Sequence, residues 1–597
     1  MKNSKSIVEE YLKKNDWRVK ENSNSPYSFG ALNKYITAEV SKDYWLREVY
    51  PESIAQAYVD GHIHIHDLGG LSLYCCGYSL KDVILKGVRG VPNIPVSAPA
   101  KHFDSILNQI ANLTTVFQNE IMGAVAFNGF DTLLAPFIKK EHLTYDEVKQ
   151  SIQNYIFSIN SNSRAGAEPA FSNVTFDLTP PEDMLNEYAV VGGELVSFTY
   201  GSCQQEMDML NRAFFETMLG GDAEGKLFAY PIPTYNIHKR FDWDNPNNKM
   251  LWEMAGKYGT PYFANFINSD LDIKDVRSMC CRLRLDLSEL RHRNGGLFGA
   301  GDSTGSIGVV TINLPRLGYE CKGDQKRFYE ALDCYLDLAK DSLEIKREWL
   351  QKNVIETNLI PAYMEYVGTM KNHFSTIGIV GMNEMCENFM GKNIIDEEAH
   401  KFCVEVGEHI RQRLLAYQDE TGHLYNYEAT PAESTCYRFA LIDKKYYPDI
   451  ISQGSGKDCY YTNSCHIPVK LIKGINSTFA HQNDLQKQFT GGTVIHIWEE
   501  GAITGEQAKA IVKAMLTTYE VPYMSLSPIS RYCDTHGYIA DKVDKCPICK
   551  SHLKKYQRIT GYLRCVDNYN RGKAAEFADR IQLDPTGEFF DDNNKGD

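Results

Sequence analysis

Apolar side chains recur at intervals of three and four over several long stretches of the chain, and polar residues occupy the positions between them. This spacing puts the apolar residues on one face of an α-helix, so it predicts amphipathic helices. The stretches with this character are 1–60, 102–138, 326–351 and 395–417. We therefore expect long helices that each bury one face.

Two shorter runs carry apolar or β-branched residues at almost every position. They are Ile307–Pro315 and Gly492–Trp498, and turns bound both of them. A strand without alternation is usually buried on both faces, as in a parallel sheet that helices cover. Because these strands alternate with the long helical stretches, the sequence predicts the α/β class.

Length and composition limit the functions to be considered. A chain of 597 residues can form one large catalytic domain with an accessory module. Its hydrophobic content of 43% and charged content of 23% are typical of globular proteins in solution. The formal charge of −14 argues against a general nucleic-acid binder, because phosphate binding needs a basic surface. A local pocket can still hold a nucleotide.

The sequence predicts neither a targeting signal nor a membrane span. Its N-terminal segment is polar and lacks the apolar centre of a secretory signal. No apolar run approaches the ~20 residues that a helix needs to cross a bilayer. We therefore expect a cytoplasmic protein.

The 16 cysteines are spread too thinly for the disulfide framework of a small secreted domain. Those that stand alone are interpreted as small buried apolar residues. In a reducing compartment, cysteines that occur in groups point to metal binding or redox chemistry. The groups are Cys75 with Cys76, Cys280 with Cys281, and Cys533 with Cys546 and Cys549.

The C-terminal group has the spacing of a metal site. Cys533-x-x-His536 and Cys546-Pro-Ile-Cys549 form two paired sets of ligands across a short loop. Four nitrogen and sulfur ligands at this spacing predict a closed tetrahedral zinc site, which is structural rather than catalytic. Nearby aspartates argue against a nucleic-acid-binding zinc ribbon. We interpret the site as a clip for a segment too short to form its own core.

A second group lies in Ser278–Arg282, where Cys280 and Cys281 are adjacent. The glycine-rich stretch Gly295–Gly299 follows and leads into the strand predicted at 307–315. These glycines do not form G-x-G-x-x-G between a strand and a helix, so the sequence does not predict a dinucleotide-binding fold.

Histidines alternate with isoleucines in Gly61–Asp67, shortly before Cys75 and Cys76. On a strand, alternate side chains point to the same face. The histidine pattern by itself therefore suits a metal site.

The most specific pattern surrounds Gly561. A single glycine in a turn needs no functional explanation, because glycine adopts positive φ without steric cost. Here, however, R-x-x-G-Y spans Arg558–Tyr562, and N-x-G-K-x-x-E-x-x-x-R spans Asn570–Arg580. Together these motifs resemble the glycyl-radical loop of the anaerobic (class III) ribonucleotide reductases. The Met-x-Cys-Arg and His-x-His-Asp segments resemble that family too, and the likeness covers nearly the whole chain.

The resemblance implies a ten-stranded α/β barrel with a finger loop inside it. Turn residues at Ser525–Pro528, ahead of the C-terminal cysteine group, suggest a boundary between a catalytic barrel domain, 1–525, and a C-terminal zinc-binding and glycyl-radical domain, 526–597. We expect no N-terminal ATP-cone, because the segment before Gly61 has no room for one. The protein would act as a homodimer.

The resemblance also implies an oxidoreductase that converts ribonucleoside triphosphates to deoxyribonucleoside triphosphates for DNA synthesis without oxygen. In the family, the glycine at the position of Gly561 stores the radical. The cysteine at the position of Cys281 becomes the transient thiyl radical, and Cys280 is the alternative here. A further cysteine donates reducing hydrogen from across the substrate, for which Cys75 is the first choice and Cys76 the second.

Two more site residues follow from the same comparison. His64 and His66 would line the substrate pocket, which accounts for them better than a metal site does. Formate-using members of the family carry asparagine where this chain has Ser306. The difference favours a redoxin over formate as the reductant. A redoxin would act on a cysteine pair, whose Cα atoms must lie within ~7 Å.

The resemblance further implies cofactors and partners. A separate activating enzyme, which carries an iron–sulfur cluster and uses S-adenosylmethionine, would install the radical. This chain itself would bind zinc but neither flavin nor nicotinamide. Deoxynucleotide and ATP effectors would select the substrate base at a site that the sequence does not locate. No nucleic-acid or membrane partner is expected.

Two other functions suit parts of the pattern. A glycyl-radical lyase of the pyruvate formate-lyase or dehydratase type would share the barrel and the radical. Such a lyase would have no evident use for the zinc ligands or the His-x-His-Asp segment. A non-catalytic zinc-ribbon scaffold would leave the other paired cysteines without a role. The sequence therefore favours the reductase.

Overall fold

The structure is a computed structural model. It describes the chain at 3–14, 27–161, 168–268, 276–279, 283–286, 304–430 and 432–583, with the backbone alone at 276–279 and 283–286. Strands and helices alternate through these residues. The predicted α/β class is confirmed.

The strands are numbered in chain order. They are β1 (Ile63–Ile65), β2 (Cys75–Gly77), β3 (Val125–Phe127), β4 (Ser172–Phe176), β5 (Tyr188–Val191), β6 (Glu194–Thr199), β7 (Ile232–His238), β8 (Tyr262–Phe266), β9 (Val276–Met279), β10 (Leu283–Asp286), β11 (Gly305–Asn313), β12 (His373–Val380), β13 (Leu424–Glu428), β14 (Ile495–Glu499), β15 (Tyr523–Pro528), β16 (Ser530–Cys533), β17 (Gly537–Ile539), β18 (Lys554–Arg558) and β19 (Leu563–Cys565).

The large sheet consists of two parallel halves. One is β2-β3-β4-β7-β8, and the other contains β11-β12-β13 and β14-β15. The halves meet antiparallel where β2 pairs with β11 and where β8 pairs with β15. A parallel bridge from Glu428, at the end of β13, to Gly492, just before β14, joins the ends of the sheet. These strands form the barrel that the resemblance implies, and β1 pairs with β11 in addition.

Helices connect the strands and pack on the sheet. The α-helices are Ser4–Lys13, Phe29–Tyr44, Glu52–Asp60, Leu80–Lys86, Phe103–Gln118, Phe130–Glu141, Tyr145–Ile159, Gln204–Gly220, Lys249–Tyr258, Leu314–Cys321, Gln325–Leu350, Pro361–Tyr366, Met382–Met390, Glu397–Thr421, Thr435–Tyr446, Ile475–Gln486, Gly505–Thr518 and Arg571–Asp579. Within the described ranges, none is both long enough and apolar enough to cross a membrane.

The two longest helices begin at aspartate caps. Asp324 precedes Gln325–Leu350, and Asp396 precedes Glu397–Thr421; each carboxylate accepts a backbone N–H of the first turn. A negative charge also suits the positive end of the helix dipole. The helices predicted from position 326 and from position 395 are thereby confirmed.

The helical interpretation of 102–138 is wrong in its middle. Helices Phe103–Gln118 and Phe130–Glu141 flank strand β3, which pairs with β2 and β4 in the barrel. Gly129 precedes the second helix with a φ of 65°, a conformation that favours glycine and interrupts a right-handed helix. Strand β3 is short and apolar throughout, so the spacing of its residues does not distinguish it from a buried helix.

Two large apolar clusters hold the barrel to its helices. The first covers the β2–β8 half and includes Phe127 and Phe176, both fully buried. The second joins the β11–β13 region to the longest helices and contains Val310, Ile377 and Leu336. Strand β11 is buried at every position. This confirms the prediction of a strand at 307–315 that is buried on both faces. The barrel strands thus form a rigid frame for the residues at their ends.

Strands β16–β19 form a separate small sheet of order β17-β16-β18-β19. Strand β15 belongs to the barrel, and Ile529 alone separates it from β16. The residues at 525–528 therefore lie in a buried strand rather than in the turn that their types suggest. The division into domains 1–525 and 526–597 stays a prediction.

Candidate active site

Gly561 lies at the tip of the hairpin formed by β18 and β19, which we call the Gly561 hairpin. The Ile559 N–H donates to the Tyr562 carbonyl (2.9 Å) and closes a tight turn around the glycine. Gly561 is buried, and its carbonyl contacts Tyr262 at the start of barrel strand β8. The motif R-x-x-G-Y therefore forms a compact loop that packs against the barrel.

Two side chains donate hydrogen bonds to the Gly561 carbonyl oxygen. One donor is Nη1 of Arg558 (2.8 Å), and the other is the Tyr262 hydroxyl. The Arg558 Nη1 also donates to the Tyr262 oxygen (2.6 Å), and Nη2 donates to the carbonyls of Gly259 and Thr260. The guanidinium lies 4.1 Å from the centre of the Tyr262 ring. The first residue of the motif thus holds the glycine in place.

Arg580, the last residue of the second motif, also holds the Gly561 hairpin. It donates to the carbonyls of Arg558 and Ile559 (both 2.8 Å) and to the Glu576 carboxylate (2.9 Å). Lys573 pairs with the same carboxylate. Burial alone would raise the pKa of Glu576, but the charges of Lys573 and Arg580 hold it below its ordinary value.

Two further motif residues fix the helix that carries these charges. Asn570 caps Arg571–Asp579 by accepting the Lys573 N–H (2.9 Å). Gly572 lies against Tyr437, and a Cβ at this glycine would come within 2.7 Å of the tyrosine ring. The residue types of N-x-G-K-x-x-E-x-x-x-R are therefore explained by contacts around the Gly561 hairpin.

The four predicted metal ligands come together. The Cys533 Sγ lies 3.5 Å from the Cys549 Sγ and 3.5 Å from Nδ1 of His536, which lies 3.4 Å from the Cys546 Sγ. All four ligand atoms lie within 4.8 Å of one another. A tetrahedral zinc ion with Zn–S bonds of about 2.3 Å separates its sulfurs by about 3.8 Å. The donor set and its spacing therefore fit zinc.

This ligand cluster and the Gly561 hairpin share one small sheet. Cys533 ends β16, and β16 pairs with β18, the first strand of the hairpin. On β18, the Gln557 amide donates to the Ser527 carbonyl of barrel strand β15 (2.7 Å). The base of the hairpin is therefore attached both to the ligand cluster and to the barrel.

Cys75 and Ser306 are partners on neighbouring antiparallel strands. They lie opposite each other in the register of β2 and β11, and the Tyr74 N–H donates to the Ser306 carbonyl (3.2 Å). The Cys75 sulfur accepts the Ala124 N–H (3.3 Å). The hydroxyls of Ser306 and Thr376 share a hydrogen bond of 3.2 Å. The fold thus brings together two candidate residues that lie far apart in the sequence.

The adjacent cysteines of β2 have different surroundings. Cys76 belongs to the large apolar cluster under the helices, and burial raises the pKa of its thiol well above the usual value. Cys75 belongs instead to a small cluster that Phe171 packs against. The Phe171 ring lies 5.0 Å from the ring of Tyr562, next to Gly561. Cys75 is therefore the cysteine on the side of the Gly561 hairpin.

Comparison with known proteins identifies the family. The model of the family described as anaerobic ribonucleoside-triphosphate reductase matches residues 21–582. This chain belongs to that family. The reductase is therefore an oxidoreductase of the ribonucleotide reductase class, and the lyase and scaffold alternatives are set aside.

Relatives resemble the reductase over most of its length. The anaerobic ribonucleoside-triphosphate reductase of Escherichia coli (strain K12) is 24% identical, over 91% of this chain and 80% of its own. The anaerobic ribonucleotide reductase of Thermotoga maritima, solved in complex with dATP and CTP, matches with a TM-score of 0.74 at 20% identity, over 96% of this chain and 98% of that chain. Another anaerobic ribonucleotide reductase structure matches with a TM-score of 0.77 at 22% identity, over 97% and 94%. These solved structures share the barrel fold.

The three alternating histidines, His62, His64 and His66, do not converge on one site. The rings of His64 and His66 lie 4.6 Å apart. Burial, followed by the charge of Lys346, lowers the pKa of His66 to about 3, and burial lowers the pKa of His64 well below its usual value. Both rings are therefore neutral at pH 7. His62 contacts Tyr335 instead, and over the described ranges only the C-terminal ligand cluster could hold a metal.

A cavity of about 700 Å³, including its open mouth, lies beside the Gly561 hairpin. Thr430, His496 and Thr560 are part of its lining. The Thr430 hydroxyl accepts from Thr311 (3.3 Å), whose oxygen lies 2.8 Å from Nε2 of His66. One polar wall thus runs from the hairpin to the histidines.

Lys346 is a candidate site residue that the sequence analysis missed. Its side chain is 3% exposed, and its Nζ comes within 3.0 Å of the position that a Cβ of Gly308 would take. Gly308 follows an irregularity of β11 next to Ser306. Burial lowers the pKa of Lys346 to about 8, against the opposing influence of Asp67 and Cys75. A buried ammonium group therefore lies near the predicted reducing cysteine.

The sequence contained a signal for Lys346 but none for Tyr262. Lys346 follows Leu343 and precedes Leu350 at helical spacing, so it occupies the apolar face of the predicted helix. A lysine on such a face is unusual and marks a site to examine. Tyr262 contacts Gly561 across 299 positions of the chain, and no local pattern encodes such a pair.

The predicted thiyl residue lies outside the described residues. Strands β9 and β10 pair so that Met279 is opposite Leu283, and Cys280 and Cys281 fall between these positions in the sequence. Both strands lie between β8 and β11 in chain order, where the resemblance places the finger loop. The choice of Cys281 over Cys280 stays a prediction.

Proposed function

We propose that this reductase stores a glycyl radical at Gly561 and uses it to reduce ribonucleoside triphosphates to deoxyribonucleoside triphosphates. The observation that carries the proposal is the buried Gly561 hairpin, with Arg558 and Tyr262 on the glycine carbonyl. A Cα radical is stabilised by the flanking amide and carbonyl, and only glycine can become planar there without a side-chain clash. Burial protects such a radical from competing reactions.

The radical moves from Gly561 to Cys281 in the proposed reaction. The hydrogen atom of the Cys281 thiol is transferred to the Gly561 Cα, which restores the glycine and leaves a thiyl radical. The thiyl radical removes the 3′ hydrogen atom of the ribose and returns it after reduction. The barrel holds the ribose beside the sulfur and excludes other hydrogen donors.

Cys75 is the proposed donor of reducing hydrogen. It gives a proton to the 2′ hydroxyl, which leaves as water. Two observations favour Cys75 over Cys76: Cys76 is part of the apolar core under the helices, and Cys75 shares Phe171 with the Gly561 hairpin. The neutral rings of His64 and His66 would line the pocket without adding charge.

A redoxin is the proposed source of electrons. Replacing the 2′ hydroxyl by hydrogen consumes two electrons, which two thiols supply when they become a disulfide. Cys75 would be one of the two, and the second must bring its Cα within ~7 Å of it. The dithiol of a redoxin then reduces the disulfide. Ser306 stands where formate-using members of the family carry asparagine, and its hydroxyl is hydrogen-bonded to that of Thr376.

Zinc is the proposed metal, held by Cys533, His536, Cys546 and Cys549. With four protein ligands such an ion has no open position, so its contribution is structural. The residues around it keep β16 paired with β18 and thereby support the Gly561 hairpin. The enzyme that installs the radical is proposed to be a separate activating enzyme with an iron–sulfur cluster and S-adenosylmethionine.

Nucleotides are the proposed ligands of two kinds of site. The Thermotoga maritima structure was solved with dATP and CTP, which supports a substrate site and an effector site in this reductase too. We propose that the cavity beside the Gly561 hairpin holds part of the substrate, since Cys75, His64 and His66 lie outside its lining. The effector site is left unassigned. The working protein is proposed to be a cytoplasmic homodimer, without bound flavin or nicotinamide.

Anaerobic activation tests the radical site. The protein is incubated with its cognate activating enzyme, S-adenosylmethionine and a one-electron donor, and electron paramagnetic resonance (EPR) is recorded. We expect a doublet that is absent in Gly561→Ala, and chain cleavage at residue 561 after exposure to air. A folded, zinc-loaded protein that gives no doublet with a verified activating enzyme would contradict the proposal.

A second assay tests the reductant. Deoxynucleotide formation by the activated enzyme is measured with formate alone and with a thioredoxin system alone. We expect product only with the redoxin, and loss of that product in Cys75→Ser with the radical doublet retained. Turnover with formate alone would show that Ser306 does not exclude formate.

A further inference from the structure

We propose that Tyr262 is a positioning residue for the stored radical: its hydroxyl donates to the Gly561 carbonyl and stabilises the radical against loss. The proposal rests on the proposed function, which places the radical at Gly561. It adds a residue from barrel strand β8 that lies outside both sequence motifs. The bond joins the barrel to the tip of the Gly561 hairpin.

The direction of the Tyr262 hydrogen bond follows from its neighbours. The Arg558 Nη1 lies 2.6 Å from the Tyr262 oxygen. A guanidinium can only donate, so the tyrosine oxygen accepts from Arg558 and keeps its own proton for another acceptor. That acceptor is the Gly561 carbonyl oxygen. Arg558 therefore determines where the hydroxyl proton points.

These donors are in place before any radical forms. Tyr262 is 2% exposed and Arg558 is equally buried. The Arg558 Nη2 is held by the carbonyls of Gly259 and Thr260, which Pro261 separates from β8. Neither donor needs to move when the electronic structure of the glycine changes. Fixed dipoles in a water-excluded site act more strongly than the same groups in water.

The effect on the radical follows from its delocalisation. In a glycyl radical the unpaired electron spreads from Cα onto the carbonyl, and the C=O bond loses some double-bond character. A hydrogen bond to the carbonyl oxygen favours this distribution more than it favours the closed-shell glycine. Without the Tyr262 hydroxyl, the radical is less stable relative to the thiyl radical with which it exchanges hydrogen. It is then lost more quickly.

The test compares two tyrosine variants of the full chain. Tyr262→Phe removes the hydroxyl bonded to the Gly561 carbonyl. Tyr366→Phe is the matched control, because Tyr366 is also buried and donates to a glycine carbonyl, that of Gly87 (2.7 Å). Each variant is activated, the activating enzyme is removed, and the decay of the EPR doublet is followed under anaerobic conditions.

We expect the doublet of Tyr262→Phe to decay about fivefold faster than that of the wild type, as the loss of one net hydrogen bond implies. Electron–nuclear double resonance after exchange into D₂O supplies a second readout. One exchangeable hydrogen coupling of the radical should disappear in Tyr262→Phe and remain in Tyr366→Phe. A purely structural role of the tyrosine would not remove that coupling.

A fluorinated tyrosine at position 262 keeps the ring and the hydroxyl and makes the hydroxyl a stronger donor. We expect a longer-lived doublet in this protein, which tests the proposal even where Tyr262→Phe folds poorly. Unchanged decay and couplings in both altered proteins, beside a normal wild-type doublet, would overturn the role of Tyr262 alone. A wild-type protein without a doublet that depends on Gly561 would overturn the proposed function together with this inference.

Discussion

Glu576 neutralises two buried positive charges next to the Gly561 hairpin. Its carboxylate lies between Lys573 and Arg580, and all three side chains are buried. Removing one member of a buried ion pair leaves its partners charged and unpaired, which costs more than the pair contributes. The spacing K-x-x-E-x-x-x-R on a helix brings these charges together, so the motif encodes a local structure as well as a site.

We predict that Glu576→Gln lowers the free energy of unfolding by about 3–5 kcal/mol, because Lys573 and Arg580 lose their counterion. Urea unfolding measures the change. Because the folded pKa of Glu576 is depressed, its contribution is present above the ordinary glutamate pKa of 4.5 and is lost as pH falls through the folded value. The difference between wild type and variant should therefore shrink in acid.

Asp458→Asn is the control for this prediction. Asp458 pairs at 2.7 Å with Arg571, which lies on the same helix as Glu576, but both side chains are exposed to solvent. An exposed ion pair contributes little to stability. Equal losses in the two variants would show that burial of the Glu576 cluster is not what matters.

Lys346 supports a prediction about the reduction step, in which Cys75 is the proposed proton donor. An ammonium group near Cys75 would stabilise the thiolate left by the proposed transfer of the Cys75 proton to the substrate. We predict that Lys346→Met lowers deoxynucleotide formation about tenfold, the effect of one pKa unit on proton transfer, while the radical doublet is unchanged. EPR and product assays on the same samples separate the two effects.

Lys340→Met is the matched control on the same helix. Lys340 pairs with Glu420 (2.8 Å) near the surface. Its loss should leave both product formation and the doublet as in the wild type. Equal activity of Lys346→Met and Lys340→Met would exclude a role of the buried ammonium in the reaction.

At the scale of elements, strand β18 connects the ligand cluster to the Gly561 hairpin. It pairs with β16, which ends at Cys533, and with β19, which completes the Gly561 hairpin. A small sheet of this kind has little apolar core of its own; its cluster holds Cys533, Ile539, Cys546 and Leu553. Metal binding can then supply the stability that the core does not.

We predict that Cys549→Ser, or removal of the proposed zinc by a chelator, lowers the yield of the EPR doublet without unfolding the barrel. The physical reason is that β16 and β18 lose their fixed connection next to the hairpin. Zinc analysis, EPR yield and limited proteolysis within 530–583 measure the three parts of this prediction. Cys334→Ser is the control, since Cys334 is an exposed cysteine on a distant helix. A normal doublet in zinc-free protein would contradict a supporting role of the metal.

At the scale of the whole molecule, closure of the barrel determines where the site can form. The strands of the large sheet pair in one continuous order from β13 to β14. The bridge between Glu428 and Gly492 joins the two ends of this order and closes the barrel. Gly491 lies at this seam: its N–H donates to the Tyr427 carbonyl (2.7 Å), and a Cβ there would lie 2.8 Å from the Asn426 side chain. The seam therefore tolerates no side chain at position 491 without a shift.

We predict that Gly491→Ala destabilises the protein by about 1–3 kcal/mol, the usual cost of overpacking. Thermal unfolding measures the change. Gly220→Ala is the control, because a Cβ at this helix-end glycine meets nothing within 4 Å. A loss of stability confined to Gly220→Ala would contradict the importance of the seam.

The sequence by itself determined the features that depend on short separations along the chain. Helical spacing predicted the two longest helices, and ligand spacing predicted the cluster from Cys533 to Cys549. The residue types around Gly561 indicated a turn followed by a charged helix, and the structure forms both there. Such features are readable because local geometry is fixed by the few bonds between the residues concerned.

Tertiary structure alone decided the features that join distant parts of the chain. It placed Ser306 opposite Cys75, separated Cys75 from Cys76, and brought Tyr262 to Gly561. It also turned the apolar stretch at 125–127 into a barrel strand. These outcomes depend on strand register and barrel closure, which no local spacing specifies, because the free energy that selects them comes from contacts between residues far apart in the sequence.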